Sequence, residues 1–284
     1  MKDRERESGL TCHKKPRQNR FKPIRDLLAM GILMPLNRKK NVFGFCKTVF
    51  GCTSFHTRLR NAHVLRALLR DLLPENVLEI GFGEGNLLWH LSRRFPDHCF
   101  FGIEADAEKK KNMQAASLEA GNIILHSPDL LDRDNKTSFG LVYCVDVLEH
   151  IADDQGFLKK ISALMAPGGR LIIHVPKRRS LQKRYFRKFK EHFDPGHLRE
   201  EYLLEELKNL AINAGLLPVN YSETFGPFGE LGFEINSLGW PNKKLDRLIR
   251  LLSIHFLFPL ALLDLLVKNT WGNSILFEAR KGVE

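Results

Sequence analysis

Three glycines at alternate positions, Gly81, Gly83 and Gly85, form the part of this sequence best suited to holding a ligand. They directly follow the strand-like stretch VLEI, which contains Glu79, and precede the apolar stretch NLLWHL. Without side chains, the backbone amides and the positive end of the following helix can approach a ligand closely. A dinucleotide-binding fingerprint would place its third glycine at position 86, where the chain has Asn86. The spacing therefore predicts a small-ligand site and argues against NAD.

Four motifs in the expected order, the last of them made of two segments, resemble those of class I S-adenosylmethionine-dependent methyltransferases. LEIGFGEG is similar to the family's first motif, and FFGIEAD places Glu104 where the family has an acidic residue that binds the ribose hydroxyls. LHSPDLLD places Asp129 where the family's carboxylate faces the adenine amino group. VDVLEHI and the later LMAPGGRLIIHVP resemble the segments that follow. The resemblance is close over residues 58–176 and loose elsewhere.

The resemblance implies S-adenosylmethionine as the cofactor, because this ligand suits the acidic residues that the motifs supply. The cofactor carries a positive sulfonium and a positive α-amino group, which carboxylates attract. The alternative interpretation makes Glu79 a solvated strand end and Glu104 an ordinary loop acid. His150, in LEH, is expected to make a structural hydrogen bond rather than to transfer protons. The residues implied for cofactor binding are Glu79, Gly81, Gly83, Gly85, Glu104, Ala105, Asp129, Leu130 and Val145.

Apolar strands alternate with helices from about residue 58 onward, and this pattern predicts the scaffold of the site. Seven strand-like stretches occur, and strands that are apolar on both faces indicate a parallel sheet covered by helices on both sides. We therefore expect an α/β, Rossmann-like, doubly wound, seven-stranded and mostly parallel sheet with helical insertions. Residues 1–50 are predicted to form a basic arm with a short helix, residues 51–176 the cofactor-binding core, and residues 177–284 acceptor-side insertions plus the last strands.

Composition limits the class of protein without choosing its substrate. The chain has 284 residues, 43% of them hydrophobic, which is ordinary for one large α/β domain. Its formal net charge of +11 favours an anionic partner. Five cysteines at unrelated spacings fit neither a disulfide framework nor a zinc site, and the charged N-terminus lacks the apolar core of a signal peptide. These features predict a cytoplasmic protein.

The stretch that begins at Lys177 is the first candidate for the acceptor side. Residues 177–190 carry eight Lys or Arg residues and recurrent aromatic residues, which predicts a helix with one basic and one aromatic face. The following segment, HFDPGHLREEYLLEELKNLAINAGL, resembles bacterial methyltransferases of cell-surface glycan and glycolipid pathways, although LREEY departs from their pattern. A basic face suits an anionic membrane or an acidic acceptor, and a solvated helix that docks on the core is the alternative.

A second candidate is the apolar segment at residues 245–267. It approaches the length of a membrane span but contains Arg250, His255, Pro259 and Asp264, which disfavour a transmembrane helix. We expect a helix or a helix pair broken near Pro259. Its function could be contact with the inner membrane face, a lid over the site or a dimer face, and the sequence leaves these alternatives open.

The core motifs predict methyl transfer but do not identify the methyl acceptor. We expect a small-molecule, glycan or lipid-linked acceptor methylated at oxygen, with His197 and His192 as candidates for the general base. The alternative for His197 is capping or packing of the following helix. A nucleic-acid methyltransferase is disfavoured because DVLEH stands where N-methyltransferases of adenine and cytosine carry an N-P-P-Y tetrapeptide. A non-catalytic binding module is disfavoured by the intact glycine and carboxylate motifs.

Overall fold

The computed structural model defines the part of the chain that can be compared with these expectations. It describes residues 55–132, 138–177, 198–199, 201–237, 257–266 and 272–283. The predicted N-terminal arm, nearly all of the basic helix, His192 and His197, and the first part of the apolar segment lie outside the described residues.

Seven strands and six helices alternate along the described chain. The strands are β1 (Asn76–Ile80), β2 (Cys99–Ile103), β3 (Ile123–His126), β4 (Phe139–Val145), β5 (Met165–Pro176), β6 (Leu216–Thr224) and β7 (Ser274–Lys281). The helices are α1 (Phe55–Leu68), α2 (Asn86–Arg94), α3 (Ala107–Ala120), α4 (Asp154–Leu164), α5 (Leu204–Asn213) and α6 (Pro227–Ser237). Short 3₁₀ turns occupy Pro128–Asp132, Leu148–His150 and Leu262–Leu265.

The strands form one sheet in the order β3-β2-β1-β4-β5-β7-β6. Neighbours from β3 to β5 pair in parallel, whereas β7 pairs antiparallel with both β5 and β6. This arrangement confirms the predicted seven-stranded, mostly parallel and Rossmann-like sheet, with the last two strands as an antiparallel pair. The chain order reverses at β1 and β4, the position where open α/β sheets bind ligands.

Two apolar cores, one on each face of the sheet, explain why successive strand residues are apolar. Leu78 and Ile80 of β1 pack in the core that α4 and α5 cover, while Val77 packs in the core that α1, α2 and α3 cover. Glu79 projects to the same face as Val77, because successive strand side chains alternate between faces. The only charged side chain of β1 thus enters the α1–α3 side of the sheet.

Two local features go beyond the sequence prediction. The apolar stretch RLIIHVP predicts a strand, but β5 begins earlier, at Met165, because it already pairs with Phe139 of β4 there. Residues 257–261, which include Pro259, are helical and a 3₁₀ turn follows, while the residues before 257 lie outside the described ranges, so the break near Pro259 stays a prediction. Helix α6 was not predicted from the sequence.

The described end of the apolar segment packs against the protein itself. Phe258 and Ala261 belong to a buried cluster with Phe55 and Leu59 of α1. The buried carboxylate of Asp264 accepts hydrogen bonds from the Phe228 and Gly229 amides at the start of α6, at 3.3 and 2.6 Å. Within the described ranges, no helix combines the length and the apolar character that crossing a bilayer requires.

Candidate active site

A cavity of about 700 Å³ opens at the carboxyl ends of β1, β2 and β4. Its wall includes the loop after β1, the residues after β2 and the turn after β4, with part of α1 on one side. This is the sheet edge at which the sequence predicts the ligand. The polar lining residues are Thr57, Arg60, Asn61, Glu79, Glu84, Asn86, Glu104, Lys109, Asp146 and His150.

The three glycines of the loop have different structural roles. All three have positive φ, at 72° for Gly81, 54° for Gly83 and 71° for Gly85. A β-carbon at Gly81 would lie 2.3 Å from Val147, and one at Gly85 would lie 2.5 Å from the Met113 sulfur. A β-carbon at Gly83 would meet nothing within 4 Å, and Gly83 lines the cavity. Gly81 and Gly85 therefore permit packing, whereas Gly83 keeps space free for a ligand.

Glu104 connects the glycine loop to the loop after β2. One carboxylate oxygen accepts a hydrogen bond from the Gly83 amide at 2.7 Å, and the other accepts one from the Asp106 amide at 3.0 Å. Because a carboxylate oxygen has a second lone pair, Glu104 retains acceptor capacity toward the cavity it lines. The position agrees with the predicted ribose contact, which stays a prediction.

Glu79 is the buried acid of the cavity wall, with 3% of its surface exposed. Tyr143 of β4, its register neighbour, donates its hydroxyl to the Glu79 carboxylate at 2.8 Å. Burial raises the pKa of Glu79 to about 8, although the Tyr143 hydrogen bond and the Arg60 charge act in the opposite direction. Glu79 is thus neither a solvated strand end nor a simple anion. We call Glu79, Gly81, Gly83 and Glu104 the glycine wall.

Asp146 is the centre of a second polar group in the cavity wall. It directly follows β4 and has a φ of 52°, which is uncommon for a residue with a side chain. Its carboxylate accepts hydrogen bonds from Arg60 of α1 at 2.5 Å and from Nδ1 of His174 in β5 at 2.6 Å. Burial alone would raise the pKa of Asp146, but His174 and Arg60 outweigh it and hold that pKa well below its ordinary value.

His174 anchors Asp146 to the interior of the protein. Its ring is 1% exposed, and its Nε2 lies 3.0 Å from the hydroxyl of Thr224, the last residue of β6. The next residue, Phe225, has a φ of 59° and packs edge-on against His174. His56 stacks on Phe225, and burial lowers the pKa of His56 to about 4, so this imidazole is neutral at pH 7. We call Arg60, Asp146, His174 and Thr224 the polar wall.

Most of the predicted cofactor residues lie at the cavity, but not all of them do. Ala105 and Val145 line it together with the members of the glycine wall. Gly85 caps α2 and contributes to packing instead. Asp129 is solvent-exposed and Leu130 is buried in the core, so that neither lines the cavity.

The predicted adenine contacts of Asp129 and Leu130 stay predictions, and the structure brings different residues of the same turn to the cavity. The 3₁₀ turn that contains Asp129 and Leu130 brings its other residues, Pro128 and Leu131, to the cavity wall. A motif alignment cannot show which side of such a tight turn faces the ligand, because successive side chains point in different directions. His192 and His197 lie outside the described residues, so the general-base hypothesis stays a prediction.

The hydrogen bond between Tyr143 and Glu79 and the whole polar wall were not predicted from the sequence. Tyr143 could have been found, since its hydroxyl stands in an otherwise apolar strand that the fold class places beside β1. Asp146 lies within the quoted VDVLEHI stretch, but its positive φ carries no sequence signal there. His174 and Arg60 become neighbours of Asp146 only when β5 and α1 pack beside β4.

The cavity fits the cofactor that the motifs imply. Gly83 leaves open space for close approach, and Glu79 and Glu104 supply acidic groups for a ligand with two positive charges. Among the described residues there is no cluster of three or more His, Cys, Asp or Glu side chains that could hold a metal ion. The donor set thus suits an organic cation with a polar ribose.

Comparisons with known proteins agree with this geometry. A family model described as a methyltransferase domain matches residues 55–220. The chain is 29% identical over 104 residues to N-methyltransferase 4 of Papaver somniferum, covering 35% of this chain and 29% of that protein. It is 30% identical over 105 residues to the ubiquinone biosynthesis O-methyltransferase of Paracidovorax citrulli, covering 36% of this chain and 43% of that protein. The chain thus spans less than half the length of either relative.

A solved structure shows the same fold at low identity. It is a putative methyltransferase of Haloferax volcanii in complex with a methyltransferase activator, at 17% identity and a TM-score of 0.54. The match covers 80% of this chain and 92% of that one. Because the family model covers more than half of the sequence and the cavity has the expected residues, the chain belongs to the class I methyltransferase domain family, whose cofactor is S-adenosylmethionine.

Proposed function

We propose that the protein transfers the methyl group of S-adenosylmethionine to a small-molecule acceptor. One observation carries the proposal, namely a cavity of about 700 Å³ that Glu79, Gly83 and Glu104 line and in which the space beside Gly83 is open. Neutral or basic residues at these positions would suit a phosphate ligand, whereas acidic residues suit a cationic one.

The residues of the chain bind and align the reactants rather than react themselves. The cofactor supplies an activated methyl group on its sulfonium, and displacement requires the acceptor atom in line with the breaking bond. In the proposal, the glycine wall holds the cofactor through Gly83 and Glu104. Arg60 can donate hydrogen bonds to the methyl-accepting substrate, and Asp146 can accept them from it. Both residues line the same cavity.

We further propose that the group methylated on the acceptor is a hydroxyl. The two relatives named above are an N- and an O-methyltransferase, so oxygen is compatible with the family. A glycan or lipid-linked acceptor would suit the net charge of +11 and the basic residues 177–190. With such an acceptor, the protein would act in the cytoplasm, at the inner membrane face, and His192 or His197 would serve as the base.

Calorimetry tests the proposal at its first step. We expect S-adenosylmethionine to bind in the micromolar range, which corresponds to a binding free energy of about −8 kcal/mol. NADH is the control ligand because the third glycine of its fingerprint is absent. Binding of NADH without binding of S-adenosylmethionine would contradict the proposal.

A matched pair of glycine variants tests whether the cavity is the binding site. Gly83→Asn and Gly121→Asn each place a side chain at a positive φ where a β-carbon meets nothing within 4 Å. Asn tolerates this conformation better than most residues, so backbone strain is similar in both. Gly83→Asn should abolish measurable binding, whereas Gly121→Asn, at the end of α3, should bind like the parent protein. Equal binding by the two variants would place the cofactor elsewhere.

A further inference from the structure

We propose that Glu79 releases a proton when S-adenosylmethionine binds, so that cofactor binding is coupled to ionisation of this buried acid. The inference rests on the proposed function, because it requires the cationic cofactor to enter the cavity. It adds a property of the site that the family assignment does not give, namely the number of protons exchanged on binding. Glu79 would be a neutral acid in the free protein and an anion in the complex.

Glu79 is buried from water and yet borders the cavity. The side chain lies in the interior of the sheet, 3% exposed, yet its residue lines the cavity. Its hydrogen bond comes from the hydroxyl of Tyr143, which is itself completely buried. A carboxyl group at this position has lost nearly all contact with water but has direct access to a bound ligand.

The groups that surround Glu79 include one cation, Arg60, and a second carboxyl group, Glu104. From α1, Arg60 approaches, but its guanidinium is already paired with Asp146. From the loop after β2, Glu104 contributes a second carboxyl, while α2 contributes the backbone amide of Leu88 and β4 contributes Tyr143. No described residue forms an ion pair with Glu79. An ionised carboxylate in this setting would be buried without a cation of its own, which costs several kcal/mol, so the group stays neutral instead.

The direction of the pKa agrees with this reasoning. Burial raises the pKa of Glu79 to about 8, and the charge of Glu104 acts in the same direction. The Tyr143 hydrogen bond, the Arg60 charge and the Leu88 amide lower this pKa but do not outweigh burial. At pH 7 most molecules of the free protein therefore carry a proton on Glu79.

The cofactor supplies the missing cation. Its sulfonium and α-ammonium bring two positive charges into the cavity, and a nearby positive charge favours the carboxylate over the carboxylic acid. The O–H bond of the Glu79 carboxyl then breaks, the electron pair remains on the carboxylate, and the proton passes to the buffer. Because protons compete with the cofactor below pH 8, the affinity should rise with pH, by at most about tenfold per unit, and level off above pH 8.

Calorimetry in two buffers measures the released proton directly. Titrations of the full chain with S-adenosylmethionine at pH 6.5, in phosphate and in imidazole, differ in heat by the number of protons released multiplied by the difference between the protonation heats of the two buffers. We expect a value close to one proton per cofactor. The uncharged fragment 5′-methylthioadenosine, which retains the adenine and ribose but lacks both positive charges, should release close to none.

Variants assign the proton to Glu79. Glu79→Gln keeps an acceptor for the Tyr143 hydroxyl but cannot ionise, so its proton release should vanish and its affinity should lose most of its dependence on pH. Glu104→Gln is the matched control, because it changes the other acid of the glycine wall in the same way. It should bind more weakly but still release the proton.

Each outcome of these measurements decides between specific alternatives. Proton release that persists in Glu79→Gln, or tight binding to the parent protein without release, would overturn the inference while leaving the proposed function intact. Failure of S-adenosylmethionine to bind the parent protein would instead refute the proposed function. If Glu79→Gln does not fold, Tyr143→Phe serves as the second variant. Loss of its hydroxyl should move the rise in affinity to higher pH, and an unchanged profile would also overturn the inference.

Discussion

The glycine wall and the polar wall meet at one cavity, which the polar wall reaches through Arg60 and Asp146, but the two are assembled in different ways. Seven consecutive residues from Glu79 to Gly85 and the nearby Glu104 form or support the glycine wall, and their residue types alone indicate a ligand. The polar wall consists of Arg60, Asp146, His174 and Thr224. Its members are far apart in the sequence: the hydrogen bond between Arg60 and Asp146 joins residues 86 positions apart. Its members have no common motif, and only the packing of α1, β4, β5 and β6 brings them together.

The backbone shows the same difference. In the glycine loop, the left-handed conformations occur at residues that adopt them without a steric cost. Asp146 and Phe225 adopt the same region of φ although they have side chains, and both contact His174. Strain of this kind persists where tertiary contacts fix the conformation, and it clusters at functional sites. The glycine wall is therefore encoded locally, whereas the polar wall depends on the completed sheet.

The largest expected effect concerns the stability contributed by the polar wall. Asp146→Asn keeps the side-chain shape and tolerates the positive φ, but it leaves Arg60 and His174 without their anion. We expect the free energy of unfolding, measured with urea, to fall by about 2–3 kcal/mol, the upper part of the range for hydrogen bonds that involve a charged group. Asp153→Asn is the control, since Asn caps a helix as well as Asp does at the start of α4.

Two substitutions at His174 identify which of its contacts holds Asp146. The amide of Asn can replace the Nδ1 donor to Asp146, whereas the amide of Gln reaches the position of Nε2 near Thr224. His174→Asn should therefore be the milder change in urea denaturation. If His174→Gln were the more stable variant, the contact with Thr224 would matter more than the contact with Asp146.

A somewhat smaller effect is expected when the glycine wall loses its half-buried acid, Glu104. Glu104→Ala removes the acceptor of the Gly83 amide and the predicted partner of the ribose hydroxyls. Calorimetry should show S-adenosylmethionine binding weakened by about 1.5–3 kcal/mol, while the urea midpoint stays close to that of the parent protein. Unchanged affinity would show that the ribose contact is made by another residue.

The pH dependence of stability should respond to Glu149, which follows the polar wall in the chain. Its side chain is fully buried, and its carboxyl oxygens have no hydrogen-bond partner within the described residues. Burial, and then the charge of Asp146, raises the pKa of Glu149 to about 8. The folded protein therefore keeps a proton that the unfolded chain releases above about pH 4.5, so this group lowers stability as the pH rises toward 8.

Glu149→Gln removes that contribution because the amide does not ionise. Between pH 5 and pH 6, the free energy of unfolding of Glu149→Gln should improve relative to the parent protein by roughly 1 kcal/mol. Urea denaturation at the two pH values measures the difference. Parallel pH profiles for variant and parent would mean that the Glu149 carboxyl does not titrate in this range.

The smallest effect is expected at Asp129, where the motif and the structure disagree. The side chain is exposed and does not line the cavity. Asp129→Ala should thus change the affinity for S-adenosylmethionine by less than about 0.5 kcal/mol, as is usual for exposed positions. A loss comparable with that of Glu104→Ala would restore the predicted adenine contact and show that the turn rearranges when the ligand binds.

Sequence alone determined the strands, their count and the glycine wall, because these depend on local periodicity and on residue types with a direct physical meaning. An apolar strand that ends in alternate glycines needs no distant contact to be recognised, and Gly121 likewise marks the end of α3 with a φ of 72°. The early start of β5, the helix α6 and the side of the turn that faces the cavity were decided by pairing and packing with residues far away in the chain. Tertiary structure alone also set the charges of the two walls: burial beside Tyr143 keeps Glu79 protonated, whereas Arg60 and His174 keep Asp146 ionised. Two similar carboxyl groups in one cavity differ in charge because the pKa of each depends on solvation and neighbours that only the folded chain provides.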